Sequence, residues 1–138
     1  MDSIVQHVMT REPAYVETTS TVREALEKMY SMDIRHLPVL DGGELVGMLS
    51  DRDLRNLYIR PGEDRGTENI NDVILDQPVS KLMSSNVLSV MPDTPISELI
   101  DLMIENKVGA VPVVDGEEGS LKGIVSYIDI LRAARELF

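Results

Sequence analysis

The chain contains no cysteine and no tryptophan, and a single phenylalanine accompanies four tyrosines among its 138 residues. Without cysteine it can form no disulfide, no thiolate metal site and no thiol nucleophile, and a reducing cytoplasm is compatible with that composition. So few aromatic rings do not provide the stacking platform on which proteins bind single-stranded nucleic acid. Composition therefore excludes thiol chemistry and argues against an extended base-stacking surface.

Basic residues are also scarce, because 13 lysines and arginines against 24 acidic residues give a net charge of −11. Such a surface repels a nucleic-acid backbone, and we find no basic stripe that would overcome the repulsion. A small anion can still bind, because its site needs only local positive groups and aligned N–H donors. Long apolar runs and the features of a signal peptide are missing as well, so we expect no membrane partner and a cytoplasmic location.

What the chain does contain is an internal repeat. A separation of 74 residues places Met9 on Met83. Beyond a turn that is two residues longer in the second copy, a separation of 76 residues places Gly47 on Gly123. Because matching residues recur at a nearly constant separation along the chain, we interpret the chain as two copies of one unit.

Each copy predicts a strand, a helix, two further strands and a second helix. Ser20 is expected to cap a helix that ends near Ser31, and Thr94 is expected to cap the matching helix. The first two strands of a copy should be parallel, and the next two should form an antiparallel hairpin. The strands are expected over 14–17, 34–40, 45–49, 88–91, 108–114 and 121–125, and the second helices over 51–59 and 127–138.

Proline occupies the same slot in the second strand of both copies. Pro38 and Pro112 donate no hydrogen bond to a neighbouring strand. We therefore expect these strands to lie at a sheet edge or to carry an irregular stretch that faces a ligand.

The residues that separate the copies are polar and contain glycine and proline. Residues 60–78 are interpreted as a linker that includes a short helical piece leading into the second copy. The predicted organisation is therefore a first repeat over 1–59, the linker over 60–78 and a second repeat over 79–138.

The pattern Gly-x-x-Ser-x-x-Asp ends the second hairpin strand of each copy, at Gly47–Asp53 and at Gly123–Asp129. Serine is a preferred N-cap, and an acidic residue at the third helical position approaches a capping box. A helix N-terminus also presents free N–H groups that can hold a phosphate. We call each of these Gly-x-x-Ser-x-x-Asp stretches, where a strand turns into a helix, a corner. Taken alone, each corner is more typical of a helix cap than of a ligand site, although the two roles are compatible.

Catalytic motifs are not found. The sequence contains no Gly-x-Ser-x-Gly, no P-loop and no His-Glu-x-x-His pattern. Ser50, His36 and Asp53 supply the residue types of a catalytic triad, but residue types alone do not make a triad without a pocket that orients them. With only two histidines, a histidine metal site is not expected. We therefore predict no catalytic residues, no metal ligands and no enzyme activity.

Together these features resemble a tandem pair of cystathionine-β-synthase (CBS) domains, an arrangement called a Bateman module. The resemblance covers nearly the whole chain except the linker. It implies an α/β (α+β) fold in which two pseudo-symmetric β-α-β-β-α repeats pack sheet to sheet. The resemblance rests on three pairs of segments. These are Val8-Met9-Thr10 and Leu82-Met83-Ser84, which we call the lead-in segments, the strands Ile34–Val39 and Val108–Val113, and the two Gly-x-x-Ser-x-x-Asp corners.

The resemblance also implies a ligand site at each corner. Asp53 and Asp129 would bind the ribose hydroxyls of an adenosine compound, because a carboxylate can accept two hydrogen bonds from a cis-diol. Each corner would face the lead-in segment and the proline-containing strand of the other copy. The phosphate ligands would be Ser50, Ser126, Arg35, His36 and Arg52, and the adenine pocket would comprise Pro13, Ala14, Ile34, Val87, Leu88, Val108, Gly109 and Ala110.

The function that the resemblance implies is regulatory, including energy sensing. The module would bind AMP, ADP, ATP or S-adenosylmethionine and act on an effector protein in trans, and the few basic residues favour AMP or ADP. The alternatives are an interaction protein with degenerate sites, favoured by the uncharged Gly109-Ala110, and a small enzyme that acts on a nucleotide. A homodimer through the terminal helices is also implied. Its candidate residues, some of which must face the core, are Leu54, Leu57, Ile130, Leu131, Ala134 and Leu137.

Overall fold

Short apolar runs and amphipathic helical segments alternate along the chain and form two three-stranded sheets with their helices. The computed structural model describes residues 3–55, 70–116 and 119–138. This mixed architecture confirms the predicted fold class. In chain order the elements are β1 (Thr10–Arg11), β2 (Val16–Glu17), α1 (Val22–Met32), β3 (His36–Asp41), β4 (Glu44–Ser50), α2 (Asp51–Arg55), α3 (Ile70–Leu75), α4 (Ile96–Asn106), β5 (Ala110–Val114), β6 (Leu121–Ser126) and α5 (Tyr127–Ala134).

The sheet of the first copy has the strand order β2-β3-β4. Strand β2 pairs in parallel with β3 and places Val16 opposite Val39, as predicted for strands joined by a crossover helix. The crossover is α1, whose buried residues Val22, Ala25 and Met29 join the core of this sheet. The core thus lies on the side that α1 covers.

The sheet of the second copy has the strand order β1-β6-β5. Strands β5 and β6 form the predicted antiparallel pair, with Ala110 opposite Ser126. The strand predicted over 88–91 is reduced to a single parallel bridge between Val90 and Val113. The core of this copy includes the buried Leu99 and Met103 of α4.

Both long helices begin one residue later than predicted. The N-cap of α1 is Thr21, whose hydroxyl accepts the Glu24 N–H at 3.1 Å. The Ser20 hydroxyl instead accepts the Glu17 N–H at 3.2 Å. Ser20 is therefore not the helix cap, because its hydroxyl closes the turn that follows β2.

The same correction applies in the second copy. Pro95 is the N-cap of α4, whereas the Thr94 hydroxyl accepts the Met91 N–H at 3.0 Å. The two hydroxyls therefore stabilise equivalent turns ahead of the helices. The capping prediction was wrong because a serine or threonine can satisfy a turn N–H three residues earlier as well as a helix N–H three residues later.

The two prolines lie at equivalent positions, on strands that have a neighbour on each side. Pro38 lies on β3, between β2 and β4. Pro112 lies on β5, between β6 and the bridge at Val90, whose N–H donates to the Pro112 carbonyl at 3.1 Å, so the edge prediction was wrong for both. Leu40 accepts the Thr18 N–H at 3.0 Å, which places its carbonyl on the β2 side. Pro38, two residues earlier, faces the same side. Because β2 begins at Val16, opposite Val39, no strand residue requires a donor from Pro38.

By its contacts the chain divides into two compact units. We call residues 14–42 and 46–87 the first-copy unit, and residues 1–13, 43–45 and 88–138 the second-copy unit. The sequence boundaries of the repeats stay a prediction, and the core of the predicted linker, residues 56–69, lies outside the described residues. Helix α3 lies within the predicted linker, and a 3₁₀ turn at Val79–Lys81 stands at the start of the predicted second repeat.

The first lead-in segment belongs to the second-copy unit. Thr10 of β1 lies opposite Ile124 of β6, and the Val5 N–H donates to the Thr94 carbonyl at 2.8 Å. The Val5 side chain is buried in the second-copy core. Backbone pairing and apolar burial therefore attach this segment to the strand that precedes the Asp129 corner.

The second lead-in segment is attached to the first-copy unit in the same manner. Met48 and Ser84 form a bridge in which each N–H donates to the other's carbonyl, at 3.0 and 2.8 Å. Val79 is buried in the first-copy core. Each lead-in thus packs beside the strand that ends at the corner of the opposite copy.

Candidate functional site

The first corner forms where β4 ends and α2 begins. The Asp53 N–H donates to the Ser50 hydroxyl at 3.1 Å, so Ser50 caps the helix as predicted from the residues alone. The Asp53 side chain is exposed. Within 3–55, 70–116 and 119–138, no donor is hydrogen-bonded to its carboxylate. This carboxylate is therefore available to accept hydrogen bonds.

The start of β3 lies against this corner. The Asp51 N–H donates to the Arg35 carbonyl at 2.9 Å. The first-copy unit therefore brings Arg35 and His36 beside Ser50 and Asp53. Arg35 is exposed and His36 is half-buried. Arg52, on the first turn of α2, is also exposed.

The pKa of His36 depends on its burial and on the charged groups of this cluster. Burial lowers the pKa of His36 below its ordinary value of 6.5, the neighbouring Asp51 and Asp53 carboxylates act in the opposite direction, and Arg35 lowers it further. Burial is the largest of these effects. The corner therefore favours a neutral imidazole, which donates at one ring nitrogen and accepts at the other.

The second corner is a complete capping box. The Ser126 hydroxyl accepts the Asp129 N–H at 3.4 Å, and an Asp129 carboxylate oxygen, Oδ2, accepts the Ser126 N–H at 2.9 Å. The same oxygen accepts the Ser126 hydroxyl at 3.2 Å. Ser126 and Asp129 are thus brought together as the sequence predicts, with their mutual hydrogen bonds already formed.

A cation that the sequence interpretation missed lies beside this carboxylate. The Arg132 guanidinium is 3.7 Å from Oδ1 of Asp129, and the two side chains are 65% and 12% exposed. Its signal was present in the sequence, because an acid and a base three residues apart meet on one helix face. The segment of the same copy that lies beside this corner supplies no charge: the Tyr127 N–H donates to the carbonyl of Gly109 at 3.0 Å.

The residues predicted to surround adenine are distributed over both units. Ala14 and Ile34 pack against the first-copy core, and Val108 packs against the second-copy core. Their grouping into shared pockets stays a prediction. Of the others, Ala110 is buried, Pro13, Val87 and Gly109 are half-buried, and Leu88 is exposed.

The candidate dimer residues differ widely in exposure. Leu54 is fully buried in the first-copy core, so it is one of the candidates that face the core. Ile130 packs partly against the second-copy core, and Ala134 is half-buried. Leu131 and Leu137 are 61% and 82% exposed. Leu57 lies outside the described residues.

Two further classes of site can be addressed over the described ranges. In those ranges no three histidine, cysteine or acidic residues are grouped so that they could hold a metal ion. Nor does any helix there have the length and apolarity that crossing a bilayer requires.

Comparison with known proteins identifies the repeat. The family model "CBS domain" matches residues 5–60 and again residues 79–136. The CBS domain-containing protein YhcV of Bacillus subtilis is 31% identical over 128 residues, which cover 93% of this chain and 83% of that protein.

Two solved structures are similar over nearly their full length. CBSX2, crystallised in complex with AMP, is 30% identical with a TM-score of 0.80, and 97% of each chain is covered. The CBS domain pair of protein MJ0100, crystallised with 5′-methylthioadenosine and S-adenosyl-L-methionine, shares the fold with a TM-score of 0.82 at 22% identity over 100% of each chain. With two matched copies, two capped Ser-x-x-Asp corners and this fold, the chain belongs to the CBS domain family and carries a tandem pair of these domains.

Proposed function

We propose that the chain is a regulatory module that binds an adenosine compound at its Ser-x-x-Asp corners. The observation that carries the proposal is the matched pair of corners, each with a serine hydroxyl at a helix start and an aspartate beside it. A carboxylate suits the cis-diol of a ribose, and a serine hydroxyl can donate to a phosphate oxygen. The similar protein crystallised with AMP, at 30% identity, supports an adenosine ligand.

Charge favours AMP or ADP over ATP in this proposal. The first corner has Arg35, His36 and Arg52 nearby, whereas the strand of the second corner contributes no basic side chain. Each additional phosphate requires further positive groups or N–H donors. S-adenosylmethionine, which has no phosphate, is the alternative ligand to test beside AMP, ADP and ATP.

Calorimetry and thermal shift with these four compounds test the proposal. A ligand present at 100 times its dissociation constant should stabilise the protein by about 2.7 kcal/mol. Asp53→Ala and Asp129→Ala should each weaken one site, while Asp101→Ala, an exposed carboxylate on α4, should change neither. Wild-type affinity in both corner variants would show that the ribose assignment is wrong.

We propose that a homodimer forms through the terminal helices and provides the surface through which the module signals. Leu131 is 61% exposed and Leu137 is 82% exposed. Exposed apolar side chains at an interaction site favour association, and these two leucines would contribute to one. Light scattering should show a dimer that Leu131→Glu dissociates, whereas Ile104→Glu, at a 68% exposed site on α4, should leave it intact. Output to an effector protein in trans and a cytoplasmic location are parts of the same proposal.

The second candidate is an interaction module in which one or both corners bind no ligand. The observation in its favour is the Asp129 carboxylate, whose hydrogen bonds and ion pair are already made within its own helix. Failure of all four compounds to bind would favour this function. Catalysis on a nucleotide is not proposed, and recovery of intact AMP after long incubation with concentrated protein tests that point.

A further inference from the structure

The acceptor capacity of the Asp129 carboxylate is largely used. A carboxylate offers about two acceptor positions on each oxygen. On Oδ2 both are occupied, by the Ser126 N–H at 2.9 Å and the Ser126 hydroxyl at 3.2 Å. A ribose cis-diol that places one hydroxyl on each oxygen therefore meets a filled Oδ2, and Oδ1 is the oxygen left for it.

Oδ1 is itself engaged, since it faces the Arg132 guanidinium at 3.7 Å. The carboxylate is only 12% exposed, whereas the arginine is 65% exposed. The approach to the carboxylate is therefore narrow, and the long arginine side chain lies on the solvent side of it. An exposed arginine can move away at little cost, because such pairs contribute little to stability.

The first corner provides the contrast within the same chain. The Asp53 side chain is exposed, and within the described part of the chain its carboxylate accepts no hydrogen bond. Two free oxygens can accept both hydroxyls of a cis-diol. The corners therefore match in sequence and differ in what their aspartates can accept.

We propose that Arg132 is a positioning residue that makes ribose capture at Asp129 conditional. It holds Oδ1, so a cis-diol binds there only after it displaces the guanidinium, and the Asp53 corner fills first. This inference rests on the proposed function, that adenosine compounds bind at the two corners. It adds an order of occupancy and the residue that sets it.

The test uses the full chain in an Asp53→Asn background, so that calorimetry reports the second corner alone. Adenosine is the probe because it is uncharged and does not respond to the overall field of the protein. Arg132→Gln should bind adenosine about two- to fivefold more tightly than the background, which corresponds to an exposed ion pair of ordinary strength. Arg132→Lys, which keeps the charge, should bind with nearly the background affinity.

A second probe separates positioning from a structural effect. 2′,3′-Dideoxyadenosine has no hydroxyl to place on the carboxylate, so its affinity should not change in Arg132→Gln. Equal melting temperatures of the background and of Arg132→Gln check that the corner remains folded. As single substitutions in the wild-type protein, Asp129→Asn should leave the tightest adenosine site unchanged, and Asp53→Asn should remove it.

Four outcomes would overturn the inference. Unchanged or weaker adenosine binding in Arg132→Gln shows that the arginine does not compete for Oδ1, and an equal gain for both nucleosides shows that the effect does not involve ribose. Loss of the tightest site in Asp129→Asn reverses the proposed order. In these three cases adenosine still binds, so the proposed function stands. If adenosine binds neither to wild type nor to any variant, both proposals fail together.

Discussion

The sulfur of Met9 occupies the space into which a side chain at Gly123 would extend. A Cβ at Gly123 would lie 2.7 Å from the Met9 sulfur and 2.8 Å from the Thr10 carbonyl oxygen. Met83 has the same relationship to Gly47 in the first-copy unit. The glycine that opens each Gly-x-x-Ser-x-x-Asp corner therefore admits the methionine of the lead-in segment from the opposite copy.

Gly123→Ala should therefore destabilise the protein by about 1–3 kcal/mol, the usual cost of overfilling a packed site. The methionine can move, but the Thr10 carbonyl is held in the β1–β6 pair. Urea unfolding measures the change. Most of the loss should persist in the Met9→Ala background, and a Gly123→Ala protein as stable as wild type would contradict the close approach.

Gly47→Ala should cost less than Gly123→Ala. The nearest backbone atom at Gly47 is the Ser84 carbonyl oxygen, which would lie 3.1 Å from the new Cβ, compared with 2.8 Å for the carbonyl beside Gly123. The flexible Met83 thioether can adapt. The two alanine variants, unfolded side by side in urea, should therefore rank in that order, and the reverse order would show that the methionine contact dominates.

Lys107→Gly should stabilise the protein by about 0.5–1 kcal/mol, because Lys107 ends α4 in the left-handed region that glycine adopts without steric cost. Its φ is 54°, and its N–H donates to the Met103 carbonyl, a bond that glycine keeps. Thermal or urea unfolding gives the change. Glu105→Gly, inside the same helix, is the matched control and should lose about 1 kcal/mol. A loss at both positions would argue against strain at Lys107.

Ser126→Ala should remove the α5 cap and cost about 0.5–2 kcal/mol in the free energy of unfolding. Ser126→Asn should restore most of that stability, because asparagine is an equally good N-cap, while it replaces the hydroxyl expected to contact phosphate. Comparing AMP affinity of the two variants separates the capping role from the ligand role. If Ser126→Asn binds AMP like wild type, the serine hydroxyl is not a phosphate ligand.

Stability should fall as the pH is lowered through the titration of His36. Because burial lowers the pKa of His36 in the folded protein, the unfolded chain takes up the proton first, at its ordinary pKa of 6.5. The contribution of His36 is therefore fully present above pH 6.5 and is lost as the pH falls through the lowered value. Urea unfolding at a series of pH values measures it. His36→Gln should flatten this part of the profile, and an unchanged profile in that variant would contradict the assignment to His36.

Local patterns were sufficient at the two Ser-x-x-Asp corners, but not at the starts of α1 and α4, where a hydroxyl has an N–H group within reach on either side along the chain. The capping box of Ser126 and Asp129 was predictable, because both partners lie within one helical turn. The strand and helix types followed from apolar periodicity, and the Pro38 placement did not. Strand order depends on which distant segment pairs with β3, and the residue types near Pro38 do not indicate that partner.

By itself the sequence determined the twofold repeat, the order of elements in each copy and the two Ser-x-x-Asp corners, because these depend on spacing along one chain. The family resemblance placed each lead-in segment opposite the corner of the other copy, and the tertiary structure decided the backbone pairing by which it packs beside the corner strand. The tertiary structure also decided that Leu54 is buried and that Asp129 is engaged while Asp53 is open. Those features depend on contacts between segments far apart in the chain, or on which of several available partners a side chain takes, and apolar periodicity specifies neither.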